Sequence, residues 1–256
     1  MAFLLNKRHS FVKGAEGIFP TSTAILLASD PVNTSYFGTP VIMLIVNIVC
    51  LDIMMKSYRS HNATTTMFAV ATYLSLGSMV QYAFLPFMLV YPLMAIMTKV
   101  MRFKEMVAYL MGLVAPYWVA LGFGVISFAD FRIPGFLAGI PADAGGLMLF
   151  IYISIGILAL LGLLMTLNNA MLIYSGNLRV RTFNNMINLL GTACLICMLA
   201  DFDNFMAYTS TFCFAVAVQI ANFFAIRNIR RSSVWFWSLL SLFIVIFMLM
   251  VIDTTS

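Results

Sequence analysis

Residues 62 to 98 read NATTTMFAVATYLSLGSMVQYAFLPFMLVYPLMAIMT and contain no acidic or basic side chain. One helix over this whole length would extend ~55 Å, which far exceeds the ~30 Å hydrocarbon core of a bilayer. A turn near Gln81 to Pro86 is therefore expected to divide the stretch into two spans, and Pro92 is expected to kink or break the second one. An alternative for that second segment is a prolyl hairpin that re-enters the membrane without crossing it.

The composition of the whole chain agrees with this membrane interpretation. Hydrophobic residues make up 62% of its 256 residues and charged residues only 9%, against about 25% charged residues in soluble domains. A water-soluble fold is excluded because too few polar side chains are present to cover its surface. Helices are favoured over sheets because backbone hydrogen bonds cannot be left unmade in hydrocarbon. The sequence predicts an all-α, polytopic transmembrane helix bundle of about eight spans: Thr39 to Met55, Ala63 to Leu85, Leu85 to Val100, Met106 to Ala129, Gly146 to Tyr174, Thr182 to Ala200, Asn204 to Ile226 and Ser232 to Ile252.

Two regions are expected along the chain. Residues 1–38 form an N-terminal surface or re-entrant segment, and residues 39–256 form the transmembrane helical domain. The apolar part of the first region, Ile18 to Ser29, would make a helix of only ~18 Å, too short for a full crossing. It either lies along the outer membrane surface, the alternative that we favour, or contributes to a short extra crossing.

Basic and acidic residues alternate in the connections between the predicted spans. Four connections hold most of the cations and include Lys56, Arg102, Arg179 and Arg230, whereas the others are mainly acidic. By the positive-inside rule the basic connections face the cytoplasm, so the C-terminus is extracytoplasmic in a bacterial inner membrane. An even number of spans also places the N-terminus outside, in conflict with the basic Lys7 nearby. The net charge of +5 therefore reflects topology, and no nucleic-acid partner is predicted.

Several amide side chains are expected at a similar depth in the inner half of the bundle. If they face one another they form a polar layer, which we interpret in two ways. A functional layer would border a cytoplasm-open cavity for a polar solute or a lipid head group. A structural layer would consist of interhelical hydrogen bonds, each worth about 0.6 to 2 kcal/mol. The candidate ligand-binding residues are Asn47, Asn168, Asn188, Gln219 and Asn222.

The acidic connections supply a second candidate site on the opposite side of the membrane. Two carboxylates could act as acid and base on a lipid-linked sugar phosphate, and an arginine could hold the phosphate. Asp201-Phe202-Asp203 is similar to a DxD element, although short acidic connections are also routine at helix ends. The candidate catalytic residues of this alternative are Asp130, Arg132, Asp143, Asp201 and Asp203.

Two further features of the spans have structural explanations. Cys194 and Cys197 form a C-x-x-C motif inside an apolar segment, which favours buried packing thiols over a redox pair. Asp52, an acid inside a predicted span, stands four residues before Lys56 at the spacing of a helical ion pair. No metal site and no cofactor are predicted.

A short stretch in the middle of the chain resembles a known family. Arg102-Phe103-Lys104-Glu105, followed by Gly112 and by Pro116-Tyr117, is similar to a family of multi-spanning inner-membrane proteins of Bacteroidota with a domain of unknown function. The resemblance covers roughly residues 60 to 125. It implies a location in the cell envelope and carries no catalytic residue with it.

The sequence favours a non-enzymatic integral inner-membrane protein that acts in envelope assembly or in lipid or small-solute transport. Its expected partners are membrane lipids and other membrane or envelope proteins. The alternative is a polyprenyl-phosphate-dependent glycosyltransferase or polymerase that uses the extracytoplasmic carboxylates. A continuous polar cavity at the amides would indicate solute transport, whereas satisfied amides would indicate a packing role.

Overall fold

The structure, a computed structural model, describes residues 18–28, 38–60, 63–125, 146–173, 177–201 and 204–226, together with 237–238, 240–245 and 247–248. Within these ranges every regular element is helical. The longer helices are α1 Ile18–Ala28, α2 Thr39–Lys56, α3 Thr64–Val80, α4 Phe87–Met97, α5 Phe103–Gly122, α6 Gly146–Ile173, α7 Leu178–Ala200 and α8 Phe205–Ile226. The residues described beyond 236 are also helical and belong to the last predicted span.

Four of these helices are long and apolar enough to cross a membrane, judged by length and composition. They are α2, α5, α7 and the part of α8 from Phe205 to Phe224. The chain is therefore a helical bundle with the character of a membrane protein. Helix α3 has 17 residues and α4 has 11, so they extend only ~26 and ~17 Å. The predicted total of eight spans thus depends on segments beyond these four helices, including the short α3 and α4.

The turn between α3 and α4 lies where the sequence predicts it. Gln81 has an extended backbone, and a short 3-10 turn, Tyr82–Phe84, follows it. Pro86 then precedes the first residue of α4, a position where the missing N–H of proline costs no helical hydrogen bond. Pro92 lies inside α4. The long uncharged stretch is therefore two helices, as its length requires.

Helix α8 occupies the centre of the bundle. It packs against α1, α2, α6 and α7, and every side chain from Ala207 to Phe224 is buried. Small side chains make this possible, because they let neighbouring backbones approach closely. Ala217 and Ala221, two small residues about one helical turn apart, are both fully buried.

Helices α3 and α5 form a second tight contact. A Cβ atom built on Gly112 of α5 would stand 2.5 Å from the carbonyl oxygen of Phe68, so this position of α5 leaves no room for a side chain. Polar groups reinforce the contact, since the Ser75 hydroxyl donates to the Leu113 carbonyl at 2.8 Å. The hydroxyls of Ser78 and Tyr117 also lie within hydrogen-bonding distance, at 2.6 Å.

The N-terminal helix α1 packs against the middle of α8. The Ser22 hydroxyl donates to the Ala217 carbonyl at 3.4 Å, and Ala217 lies ~18 Å along α8 from its first residue. Leu26 of α1 is buried in the same core. These contacts place α1 against α8, and both the surface and the re-entrant alternatives for the N-terminal segment stay predictions. The domain boundary at residue 38 stays a prediction.

Candidate functional site: an amide cluster at the end of an apolar cleft

Five amide side chains from three helices join in one hydrogen-bonded cluster. Gln219 is at its centre, because its Nε2 donates to Oδ1 of Asn184 and to Oδ1 of Asn188, both at 2.7 Å. Asn169 bonds Gln219 from the other side: its Nδ2 donates to the side-chain oxygen of Gln219 at 3.2 Å and to the backbone oxygen of Gln219 at 2.8 Å. Asn222 donates to Asn184 at 3.3 Å. We call these residues the amide cluster; it links α6, α7 and α8.

Helical spacing explains how the chain brings these amides together. Asn184 and Asn188 stand four residues apart on α7, and Gln219 and Asn222 stand three apart on α8. Both spacings put two side chains on one helix face. Because α7 and α8 are antiparallel neighbours, the two polar faces meet side by side. Hydrogen bonds within the cluster then keep these polar groups from being buried without partners.

The structure brings three of the five predicted amides into this cluster and places two elsewhere. Asn188, Gln219 and Asn222 are members. Asn168 is exposed, and its neighbour Asn169, 1% exposed, occupies the buried position instead. One residue along a helix rotates a side chain by ~100°, so Asn169 and not Asn168 faces the cluster.

Asn47 belongs to a separate polar contact. Its Nδ2 donates to the Thr211 hydroxyl at 3.3 Å, and its Oδ1 accepts from the Tyr91 hydroxyl at 2.9 Å. Thr211 and Gln219 stand eight residues apart on α8, which is ~12 Å along the helix. The single polar layer expected from the sequence is therefore divided into two.

Asn184, like Asn169, is a member that the sequence interpretation missed. Its spacing of four residues from Asn188 is the signal that could have identified it, since both had to share a helix face. In the structure Asn184 is 4% exposed and accepts from both Gln219 and Asn222.

A cleft of about 500 Å³ runs between α6, α7 and α8 and reaches the amide cluster. Its volume is within the range of small-molecule sites. Polar side chains are few along its wall: Thr166, Asn188, Thr192 and Gln219. The rest of the wall is apolar and includes Ala159, Leu160, Leu163, Leu195, Phe212 and Val216.

Three of the four polar side chains, Thr166, Asn188 and Gln219, lie at one end of this cleft, which we call the amide end, and Thr192 lies nearer its middle. The helix register fixes this arrangement, because Gly162 faces Val216 and Gly191 faces Ala215. Moving from these contacts toward Gln219 leads along α6 to Thr166 and along α7 back to Asn188. Moving the other way leads to Phe212 and to an apolar wall. The cleft is thus amphipathic along its length.

Leucine side chains border the cleft on α6. Leu160, Leu163 and Leu167 are 63%, 60% and 62% exposed and all contribute to its wall. Leucines exposed to this degree on an apolar helix are suited to contact with acyl chains rather than water. A lipid chain could therefore reach the cleft sideways from the bilayer.

Asp201 is the one predicted catalytic carboxylate that the structure describes. It is 2% exposed and accepts from the Tyr208 hydroxyl at 3.2 Å and from Asn204 Nδ2 at 3.0 Å. Asn204 also bonds the Tyr82 hydroxyl and accepts from Gln81 at 2.9 Å. Asp201 therefore joins the α7–α8 connection to the α3–α4 turn. The other candidate catalytic residues lie outside the described residues: Asp130, Arg132, Asp143 and Asp203.

The remaining predicted polar features have structural roles where the structure describes them. Lys56 pairs with Asp52 at 2.9 Å, as the four-residue spacing predicts. The two thiols of the C-x-x-C motif, Cys194 and Cys197, are free and buried. Among the described side chains no group of three or more His, Cys, Asp or Glu is arranged to hold a metal ion.

Comparison with known proteins adds no relative to this picture. No protein-family model matches the chain, and no curated protein or solved structure matches it either. The resemblance to inner-membrane proteins of Bacteroidota stays a prediction from the sequence. The amide cluster and the cleft are therefore the features of the chain that bear on its function.

Proposed function

We propose that this chain is a multi-spanning protein of a bacterial inner membrane that holds the hydrocarbon part of a lipid in the cleft between α6, α7 and α8. It performs no covalent chemistry on that lipid, and its role is in lipid handling during transport or envelope assembly. The observation that carries the proposal is the amphipathic cleft itself, with leucines at its border and amides at one end.

The wall chemistry favours a hydrocarbon chain over a polar solute. Entry of a sugar or an ion would require the loss of its water without replacement hydrogen bonds along most of the cleft, which is costly. The amides at the end are largely engaged with one another, since the Gln219 side chain already bonds three neighbouring asparagines. A methylene chain loses nothing by contact with Leu163, Leu195 or Val216.

The proposed topology follows the charge pattern of the connections. Lys56, Arg102 and Arg179 lie on the cytoplasmic side, and the amide end of the cleft is nearer to that side. Asp201 and its partners Tyr208 and Asn204 lie toward the opposite side. Helix α4 has 11 residues and an internal proline, so it either crosses together with the residues on both sides of it or re-enters. The eight-span arrangement counts α4 as one of the spans.

The enzymatic alternative receives less support. Asp201 is buried and hydrogen-bonded to Tyr208 and Asn204, which suits a structural link between two connections. A catalytic carboxylate that acts on a lipid-linked sugar would instead need access to that substrate. We therefore place lipid binding ahead of glycosyl transfer.

The test fills the cleft from its exposed side. Thr192 lines the cleft on α7 and its hydroxyl bonds only within its own helix, to Leu189 at 3.0 Å. Thr192→Trp should therefore block a chain without disturbing the core. Leu199→Trp is the matched control, because Leu199 is 69% exposed on the same side of α7 but two turns away from Thr192 and outside the cleft wall.

The readout is photocrosslinking of a phosphatidylethanolamine whose palmitoyl chain carries a diazirine, with the full chain in lipid nanodiscs. We expect the label on peptides of α6, α7 and α8, at least fivefold weaker labelling in Thr192→Trp, and wild-type labelling in Leu199→Trp. Equal labelling of all three proteins at those peptides would reject the lipid-binding proposal.

A further inference from the structure

Asn188 presents a hydrogen-bond donor to the cleft. A primary amide has two acceptor lone pairs and two N–H donors. The Oδ1 of Asn188 accepts from Gln219 Nε2 at 2.7 Å and from the Thr166 hydroxyl at 3.5 Å. Its Nδ2, in contrast, donates to none of the residues that the structure describes. The side chain is only half-buried and forms part of the cleft wall.

The orientation of this amide follows from a backbone group. The Gln219 carbonyl can only accept, so the group of Asn169 that meets it at 2.8 Å is the NH2. The same NH2 meets one side-chain atom of Gln219, which must then be its oxygen. Gln219 therefore directs its own NH2 toward Asn188, and Asn188 must turn its oxygen to Gln219. The NH2 of Asn188 is left on the other side.

A ligand that suits this donor must carry an acceptor without a charge. No side chain on the cleft wall is ionised, so a buried phosphate or carboxylate would lack a compensating cation. Asn188 also lies ~15 Å along α7 from Leu178, a depth that a charged head group reaches only at high cost. An ester or amide carbonyl needs only one donor.

We infer that the cleft binds a neutral acyl lipid, with the carbonyl accepting from Asn188 Nδ2 and the acyl chain extending toward Phe212. This inference rests on the proposed lipid-binding function and names the lipid class that the site selects. Asn188 acts as the specificity-determining residue. The apolar wall supplies the chain contacts that any hydrocarbon shares.

The experiment compares two competitors that differ only in the acceptor. The full chain in dioleoyl phosphatidylcholine nanodiscs is labelled by the diazirine lipid, and methyl palmitate or hexadecane is titrated against it. In the wild type we expect methyl palmitate to compete at a concentration three- to tenfold lower than hexadecane, the range expected from one hydrogen bond. In Asn188→Leu this preference should disappear while hexadecane competes as before.

The comparison of methyl palmitate with hexadecane in the wild type is sufficient to test carbonyl recognition. The test therefore does not depend on correct folding of the Asn188→Leu variant. If hexadecane competes as well as methyl palmitate against the wild type, recognition of the carbonyl is refuted and chain binding stands. If neither compound competes, the proposed cleft function fails as well. Asn168→Leu is the control variant, because Asn168 lies on the same helix as Thr166 but is exposed and outside the cleft wall, and it should keep the ester preference.

Discussion

Exchanging two neighbouring asparagines for leucine should have very different effects on stability. Asn169 is 1% exposed and donates to the backbone and side-chain oxygens of Gln219 at 2.8 and 3.2 Å. Asn168 is exposed on the other face of α6. Asn169→Leu should therefore destabilise the bundle, whereas Asn168→Leu, the same chemical change one residue earlier, should not.

The magnitude follows from the bonds that are lost. Interhelical hydrogen bonds in membranes are each worth about 0.6 to 1.7 kcal/mol, so the two bonds of Asn169 contribute about 1 to 3 kcal/mol together. Gln219 Oε1 loses its described partner in the variant, which adds to the cost. Asn168→Leu replaces an exposed amide on an apolar helix and should change stability by less than about 0.5 kcal/mol.

The measurement is equilibrium unfolding in mixed micelles, with the helical circular dichroism signal followed as the mole fraction of dodecyl sulfate rises. Asn169→Leu should move the midpoint to a lower mole fraction, and Asn168→Leu should overlap the wild type. Equal midpoints for the two variants, or a larger loss of stability in Asn168→Leu, would show that α6 is rotated differently. The hydrogen bonds of the amide cluster would then be wrong.

Two further outcomes test the fold. Gly112→Ala should lower stability by about 1 to 3 kcal/mol in the same assay, because its Cβ would stand 2.5 Å from the Phe68 carbonyl oxygen. Gly122→Ala is the control and should have no such effect, since the space around Gly122 is open. Similar losses of stability in both variants would contradict the α3–α5 contact. By the proposed topology, Lys104→Cys and Arg181→Cys should react with a membrane-impermeant maleimide from the same side of the membrane. The native cysteines are buried and should add little background labelling. Labelling of the two variants from opposite sides would contradict the topology.

Helix ends were predicted well where a turn residue or a single charge marks them. Helix α2 was expected to end at Met55 and ends at Lys56. Helix α7 was expected from Thr182 but begins at Leu178, because Arg179 and Arg181 lie inside its first turns rather than before them. Long basic side chains reach polar groups from within a helix; the Arg179 guanidinium donates to the Met55 carbonyl at 3.1 Å.

The sequence could indicate which helices carry amides, but not the direction in which those side chains point. In a soluble protein the apolar stripe of a helix reveals which face is buried. Here lipid and protein interior are equally apolar, so hydropathy could not choose between Asn168 and Asn169. The information was partly present in α7, where Asn184 and Asn188 share a face and point to a polar neighbour.

Small and hydroxyl side chains contribute to the central position of α8. Central α8 combines small and hydroxyl side chains such as Ser210 and Ala217, both buried, whereas α5 exposes Leu110 and Trp118. Small side chains let backbones approach, and that is the main attraction between helices already surrounded by lipid.

The cleft has the same physical origin. Gly162, Gly191 and Ala215 bring α6 and α7 against α8, and all three form part of its wall. The leucines around these small residues do not fill the space beside them, because Leu160, Leu163 and Leu167 are largely exposed. Close packing of the backbones and space for a lipid chain are therefore consequences of one set of small residues, and enlarging any of them should weaken both.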